Sequence, residues 1–114
     1  MQFTCSIKNN YEFRRLYNGG KSAATGLIAV YCKRNRRGAS QLGITVGTKV
    51  GNAVVRNRVR RRLKEIYRLH EPTIRRGFDI VVVARSKSRY ATYQQLEADF
   101  LRLQDKLALR EEQS

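Results

Sequence analysis

The chain has no tryptophan, one proline, one histidine and two cysteines, and only 9 of its 114 residues are acidic. Each shortage removes a class of protein. Two cysteines, Cys5 and Cys32, cannot build the disulfide framework of a small secreted domain. Cys32 ends an apolar run and reads as a small buried hydrophobe. The lone histidine, His70, falls near a helix end, where partial positive charge is welcome. No Cys, His and Asp cluster has ligand spacing, so no metal site built by the protein is expected. The longest apolar runs, residues 27–32 and 80–84, are far shorter than the ~20 residues of a membrane span. The N-terminus lacks the apolar segment of a signal peptide, and the expected location is the cytoplasm.

What the chain has instead is positive charge: 24 lysines and arginines give it a net +15. Such an imbalance on a small folded domain repels itself and points to a polyanionic partner, a nucleic acid. Disorder does not explain the composition, because 41% of the residues are apolar and they fall in periodic blocks. The charge is also unevenly placed. Residues 33–68 hold 12 of the 24 basic residues and one acid, Glu65, and so carry +11 of the +15, whereas the last 18 residues hold five of the nine acids.

Periodicity divides the chain into seven elements. Residues 9–18 read as a short helix closed by Gly19 and Gly20, with Phe13, Leu16 and Tyr17 on one face. Residues 22–25 suggest a short edge strand. Residues 27–33 and 42–46 read as strands joined through a charged turn at 34–38, and their proximity suggests a hairpin. Asn52 is a good N-cap for a helix from residue 53 to about 69. In that helix Val55, Val59, Leu63, Ile66 and Tyr67 cluster on one side. Asn57, Arg58, Arg60, Arg61, Lys64 and Arg68 occupy the other. Arg56 and Arg62 project near the apolar arc; the first turn frees Arg56, and Arg62 can bring its head out along a packed stem. Pro72 stops this helix. Residues 78–84 (FDIVVVA) are apolar on both sides, as in a central strand. Thr92 and Gln95 form a capping box ahead of a helix whose Leu96, Phe100, Leu103 and Leu107 share a face. The expectation is one α+β domain over residues 1–114, in the order αβββαβα, with a four-stranded sheet packed against helices.

Seven basic residues in the thirteen positions 56–68 are the sharp signal. Guanidinium groups give planar, paired hydrogen bonds to phosphate and stay charged. Like charges at Arg56/Arg60, Arg60/Lys64 and Lys64/Arg68 repel in the free protein, which a bound polyanion would relieve. Asn57 carries a donor and an acceptor, suited either to RNA or to bracing the arginines. Phe13, Tyr17 and Tyr31 form a second group. By pattern alone they fit a core as well as the floor of a groove on which unpaired bases stack.

Gly43-x-Thr-Val, Lys49-x-Gly51-Asn-Ala-Val and above all Arg56-Asn57-Arg58-x-Arg60-Arg61-x-x-Lys64-Glu65 resemble the protein subunit of bacterial ribonuclease P. The resemblance runs from the Phe13 helix through the 78–85 strand to the last helix. It implies the same element order and a left-handed β-α-β crossover around the arginine-rich helix, against the usual rule. It also implies an endoribonuclease holoenzyme that removes the 5′ leader of precursor tRNA. Catalysis would belong to a partner RNA that holds Mg2+, with no catalytic residue, metal ligand or small-molecule cofactor in this chain. Lys49, Asn52, Arg56, Asn57, Arg58, Arg60, Arg61, Lys64 and Arg68 would bind that RNA; Phe13, Tyr17 and Tyr31 would line a cleft for the leader. The chain departs from the family at Gln41, Gly47 and Thr48, where the family often has arginine, serine and a basic residue. Lys64 replaces a commoner arginine, and Arg62, where an apolar residue is usual, is placed to compensate for Thr48.

Three other readings compete. A ribosomal or other RNA-binding accessory protein shares the size and charge. A helix-turn-helix DNA binder would set two helices about a short turn, whereas strands flank the basic helix here. A protein-only nuclease would need clustered carboxylates or histidines, and the acids here are scattered or gathered at the C-terminus.

Overall fold

The computed structural model describes residues 4–7, 10–35 and 39–109. Its elements are β1 (Thr4–Ser6), α1 (Asn10–Gly19), β2 (Lys21–Ala24), β3 (Ile28–Arg34), β4 (Ser40–Val46), α2 (Ala53–His70), β5 (Phe78–Ala84) and α3 (Tyr93–Lys106). Short 3-10 turns at Glu71–Thr73 and Ser86–Tyr90 follow α2 and β5. Part of the expected charged turn, residues 36–38, lies outside the described residues, as does the expected first residue of α1.

The strands form one sheet in the order β1-β4-β5-β3-β2. Two expectations need correction. The sheet has five strands, not four: Thr4–Ser6 pairs in parallel with β4. Three residues are too few for an alternating pattern to show. Nor do β3 and β4 form a hairpin, because β5 lies between them, antiparallel to β3 and parallel to β4. The reason lies in β5 itself. Ile80, Val82 and Ala84 are buried on one face and Val81 on the other. A strand apolar on both sides is stable only in the middle of a covered sheet. The true hairpin is β2–β3, whose turn is held by Thr25: its Oγ1 accepts from the amides of Leu27 and Ile28, both at 3.2 Å.

Helices cover both faces. On one, Val30, Cys32, Leu42, Ile80 and Val82 meet Val59, Leu63, Ile66 and Tyr67 of α2 and Leu96, Phe100 and Leu103 of α3. On the other, α1 lays Leu16 and Phe13 against Val81 and Tyr31. Cys32 is buried as expected, and burial raises its thiol pKa. The caps are also as read: Asn52 Oδ1 accepts from Val55 N at 3.0 Å, and Thr92 and Gln95 close a reciprocal box. His70 ends α2 with Nε2 3.0 Å from Glu97 Oε2, tying α2 to α3. No helix among the described residues is long and apolar enough to cross a membrane.

Tyr67 anchors the added strand. Its ring is fully buried, edge-on to Phe100, and its hydroxyl meets Thr4 Oγ1 at 2.9 Å. Burial pushes the hydroxyl pKa up to about 12, and the Thr4 hydrogen bond pulls the other way. A free tyrosine titrates near ~10. The protonated form is therefore favoured by folding, and its contribution to stability is complete below pH ~10 and lost as pH climbs toward 12. Tyr67→Phe is expected to cost about 1 kcal/mol at pH 7. In urea denaturation the gap between wild type and variant should narrow above pH ~10; a constant gap would exclude this linkage.

Candidate nucleic-acid interface

At 100° per residue, α2 turns Val59, Leu63, Ile66 and Tyr67 inward and presents Asn57, Arg60, Arg61, Lys64 and Arg68 to solvent. Arg56 and Arg58 fall on opposite flanks. The cations are not equivalent, because the protein itself uses several of them. Arg68 makes two hydrogen bonds to the Glu65 carboxylate, and in this block it is the one cation held in an ion pair. Those bonds hold the Glu65 carboxyl below its usual range and raise the Arg68 guanidinium. Arg60 Nη1 donates to Asn57 Oδ1 at 3.0 Å, so Asn57 acts here as a brace. Arg58 Nη2 donates to the Arg89 carbonyl at 3.4 Å, and Arg62 Nη1 to that of Ala91 at 3.0 Å. Arg62 is half-buried near the apolar arc, and its head ends on the Ala91 backbone carbonyl instead of being freed to solvent as expected.

Arg56 differs from the expectation. The first turn does not free it: it is half-buried, and its Nε is buried without a hydrogen-bond partner. Arg61 and Lys64 are exposed and have no side-chain hydrogen bond or ion pair among the described residues. Lys49 is exposed in the turn that leads from β4 into α2. Asn52 uses its amide oxygen as the helix cap, which leaves its NH2 group outward.

A contribution absent from the sequence reading comes from the Ser86–Tyr90 turn, which the Arg58 and Arg62 bonds hold against α2. It brings Lys87 and Arg89 to that flank, with no acid in the turn. The two cations are visible in the sequence; their place beside α2 depends on contacts across about thirty residues and is not.

The aromatic group sits on the opposite side of the sheet. Tyr17 and Tyr31 meet edge to face, centroids 4.9 Å apart and planes at 85°. Tyr17 is 42% exposed and Tyr31 half-buried. Phe13 is half-buried and belongs with Ile7, Leu16 and Val81, so it is the most core-like of the three. Alternation along the strands puts Ala29, Thr45 and Val83 on the same face as Tyr31. These residues form an uncharged strip leading from the tyrosines toward the end of the sheet where α2 begins. The charges of this face, Lys33 and Asp79, pair across the strands at the other end, where Asp79 Oδ1 accepts from Asn35 Nδ2 at 2.8 Å.

Among the described residues no group of three His, Cys, Asp or Glu side chains could hold a metal ion. Glu65 lies on Arg68, Glu97 on His70 and Asp79 on Asn35, far from any shared centre. A groove of about 340 Å3 lined by Lys21, Cys32, Arg34, Arg75, Phe78 and Leu107 includes none of the expected site residues.

Comparison with known proteins gives one answer. The family model for Ribonuclease P matches residues 1–108. The "Ribonuclease P protein component" of Natranaerobius thermophilus is 39% identical over 104 residues, 91% of this chain and 90% of the relative. That of Alkaliphilus metalliredigens is 41% identical over 109 residues, covering 96% and 98%. Among solved structures, the Staphylococcus aureus RNase P protein superposes with a TM-score of 0.84 at 31% identity, covering 93% and 97%. The Thermotoga maritima RNase P protein gives 0.79 at 29% identity, covering 94% and 98%.

The seat of Phe13 explains Gly43. A Cβ there would stand 2.7 Å from Phe13 Cε1 and 2.8 Å from Cζ. Gly43→Ala is expected to swing the Phe13 ring outward and lower stability by about 1 kcal/mol, roughly 4 °C in Tm. A variant with unchanged Tm would show that the ring is not seated there.

Proposed function

This chain belongs to the ribonuclease P protein family, and from that premise we propose that its two faces serve two RNAs. As a ribonuclease P protein component it takes part in tRNA processing as a holoenzyme subunit with an RNA partner. In our reading the outward face of α2 binds the RNA subunit and the Tyr17–Tyr31 cleft binds the single-stranded 5′ leader of precursor tRNA. In the same reading the endonucleolytic cut belongs to the RNA subunit, which also holds the Mg2+; among the described residues no carboxylate cluster is gathered to hold it. The observation that carries the reading is the exposed row Arg60, Arg61 and Lys64, with no ion pair among the described residues; the acid on this helix, Glu65, bonds to Arg68.

The physics is that of polyelectrolytes. Two large RNAs repel, and cations placed between them release condensed counterions and lower the salt needed for association. Arg61 and Lys64 are the strongest candidates for direct phosphate contact, since no partner among the described residues competes for them. Lys49, the Asn52 amide and Arg56 extend the contact along the first turn; Asn57, Arg58 and Arg68 support it with part of their bonding capacity already engaged. In the cleft, Tyr17 offers a ring face to an unpaired base, with Tyr31 setting its angle and Phe13 supporting it from the core. Mature tRNA lacks the leader, so this contact favours substrate over product.

The direct test is cleavage of precursor tRNA at low Mg2+ by a bacterial ribonuclease P RNA, with and without this chain. Stimulation is expected; none, beside an active control subunit, would refute the proposal. Arg61→Ala should weaken RNA-subunit binding and make the slope of log K against log salt shallower by about 1. Tyr17→Ala should weaken precursor binding by roughly tenfold, about 1.4 kcal/mol, and leave mature tRNA binding unchanged. Equal losses for both tRNAs would sink the leader cleft.

A further inference from the structure

Tyr90 is 81% exposed, more than any other large apolar or aromatic side chain described. A single exposed ring is ordinary on a protein surface. Its setting here is not, for three reasons.

The backbone that carries the ring is held in place by its neighbours. Tyr90 ends the Ser86–Tyr90 turn, in which Ser88 is fully buried and its hydroxyl donates to the Arg85 carbonyl at 2.6 Å. Ala91, the next residue, is buried and its carbonyl accepts from Arg62 of α2. Arg58 of α2 reaches the Arg89 carbonyl on the other side. The backbone on both sides of Tyr90 is therefore fastened to the basic helix, while the side chain is left to solvent.

The ring also carries a cation. Arg89 Cζ stands 5.5 Å from the Tyr90 centroid. A guanidinium on one face polarises the ring and restricts its rotation, and the high exposure leaves the remainder of the ring surface open. Finally, the surroundings suit an anionic strand: Lys87 and Arg89 share the turn, Arg58 and Arg61 lie on the adjoining side of α2, and the turn has no acid. Cations beside an open aromatic face on a fastened backbone match an unpaired nucleotide, whose base stacks while its phosphate meets the charges.

We propose that Tyr90 is a base-stacking residue of the RNA-subunit interface, receiving one unpaired base of the RNA that lies along α2. The inference rests on the assignment of α2 to that RNA. It adds to a charge-based, sequence-blind interface a contact whose strength does not depend on ion release.

The chain has no tryptophan, so Tyr90→Trp in the full chain places a single fluorophore at the site. Titration with ribonuclease P RNA should quench its emission, with affinity close to wild type. Tyr90→Ala should weaken binding about tenfold with the salt slope unchanged, and Tyr90→Phe should bind as wild type. Arg61→Ala, which touches nothing in the turn, should flatten the slope. Unquenched Trp at saturation, or Tyr90→Ala within twofold of wild type, overturns the stacking contact. If Arg61→Ala still flattens the slope in that case, the assignment of α2 survives; if it does not, both fall. Quenching by precursor tRNA at lower concentrations than by the RNA subunit overturns the choice of RNA and assigns the ring to substrate.

Discussion

The two-sided burial of β5 is the constraint on which the rest of the structure depends. Ile80, Val82 and Ala84 need cover on one face, and Val81 and Val83 on the other. Hydrophobic burial is non-directional, but a strand has only two faces and two edges. Full burial therefore requires β3 and β4 at the edges and a helical layer above and below. Placing β5 beside β4 in parallel forces the connection between them to cross the sheet, and α2 is that crossover. The basic helix is thus pinned at both ends by strands of one sheet, with its apolar side against them. Its charged side has no choice but to face outward.

The same arrangement separates charge from aromatic surface. α2 and α3 occupy one layer and α1 the other, so the sheet stands between the α2 arginines and the tyrosines, and α1 adds only Arg14 and Arg15 among its described cations. Within the α2 layer the repulsion expected of seven cations in thirteen positions is eased locally: Asn57 holds Arg60, Glu65 holds Arg68, and backbone carbonyls of the following turn accept from Arg58 and Arg62. Each contact lends an oxygen to a guanidinium without placing a full negative charge on the outward row, except at Glu65. The helix still presents a strongly positive line to solvent.

How much of this was legible in the sequence depends on the range of the interaction. α2, α3, both caps and β5 were readable because their signals are local: a period of 3.6, a side chain three residues from its amide, an apolar run. The neighbours of β5 were not, because strand pairing is a long-range choice, and proximity in sequence suggested a β3–β4 hairpin that the burial of β5 overrides. β1 is too short to carry a pattern and is recognisable only through its pairing with β4 and the Thr4–Tyr67 hydrogen bond. The candidate site divides in the same way. Which residues are cationic is plain from the sequence, and the Glu65–Arg68 pairing at i,i+3 is local. That Arg58 and Arg62 reach carbonyls about thirty residues away, and that Gly43 sets the depth of Phe13, belongs to the fold.

Separation of the two surfaces has a consequence for discrimination between RNAs. Affinity from phosphate contacts falls steeply with salt and is offered to any RNA strand. Affinity from stacking on a ring is nearly indifferent to salt and needs a base that is free of pairing. A leader cleft as densely lined with cations as α2 would bind mature tRNA, or any passing strand, through charge alone and would lose its preference for substrate. The strip of Ala29, Thr45 and Val83 beside Tyr17 and Tyr31 carries no charge, so it adds little affinity for a strand that has no unpaired base to offer. If, as proposed, the RNA subunit lies on α2 and the leader in the cleft, rising salt would weaken assembly before it eroded the distinction between precursor and product. On that assignment the positive row of α2 can serve assembly without lying beside the tyrosines, because the sheet stands between them.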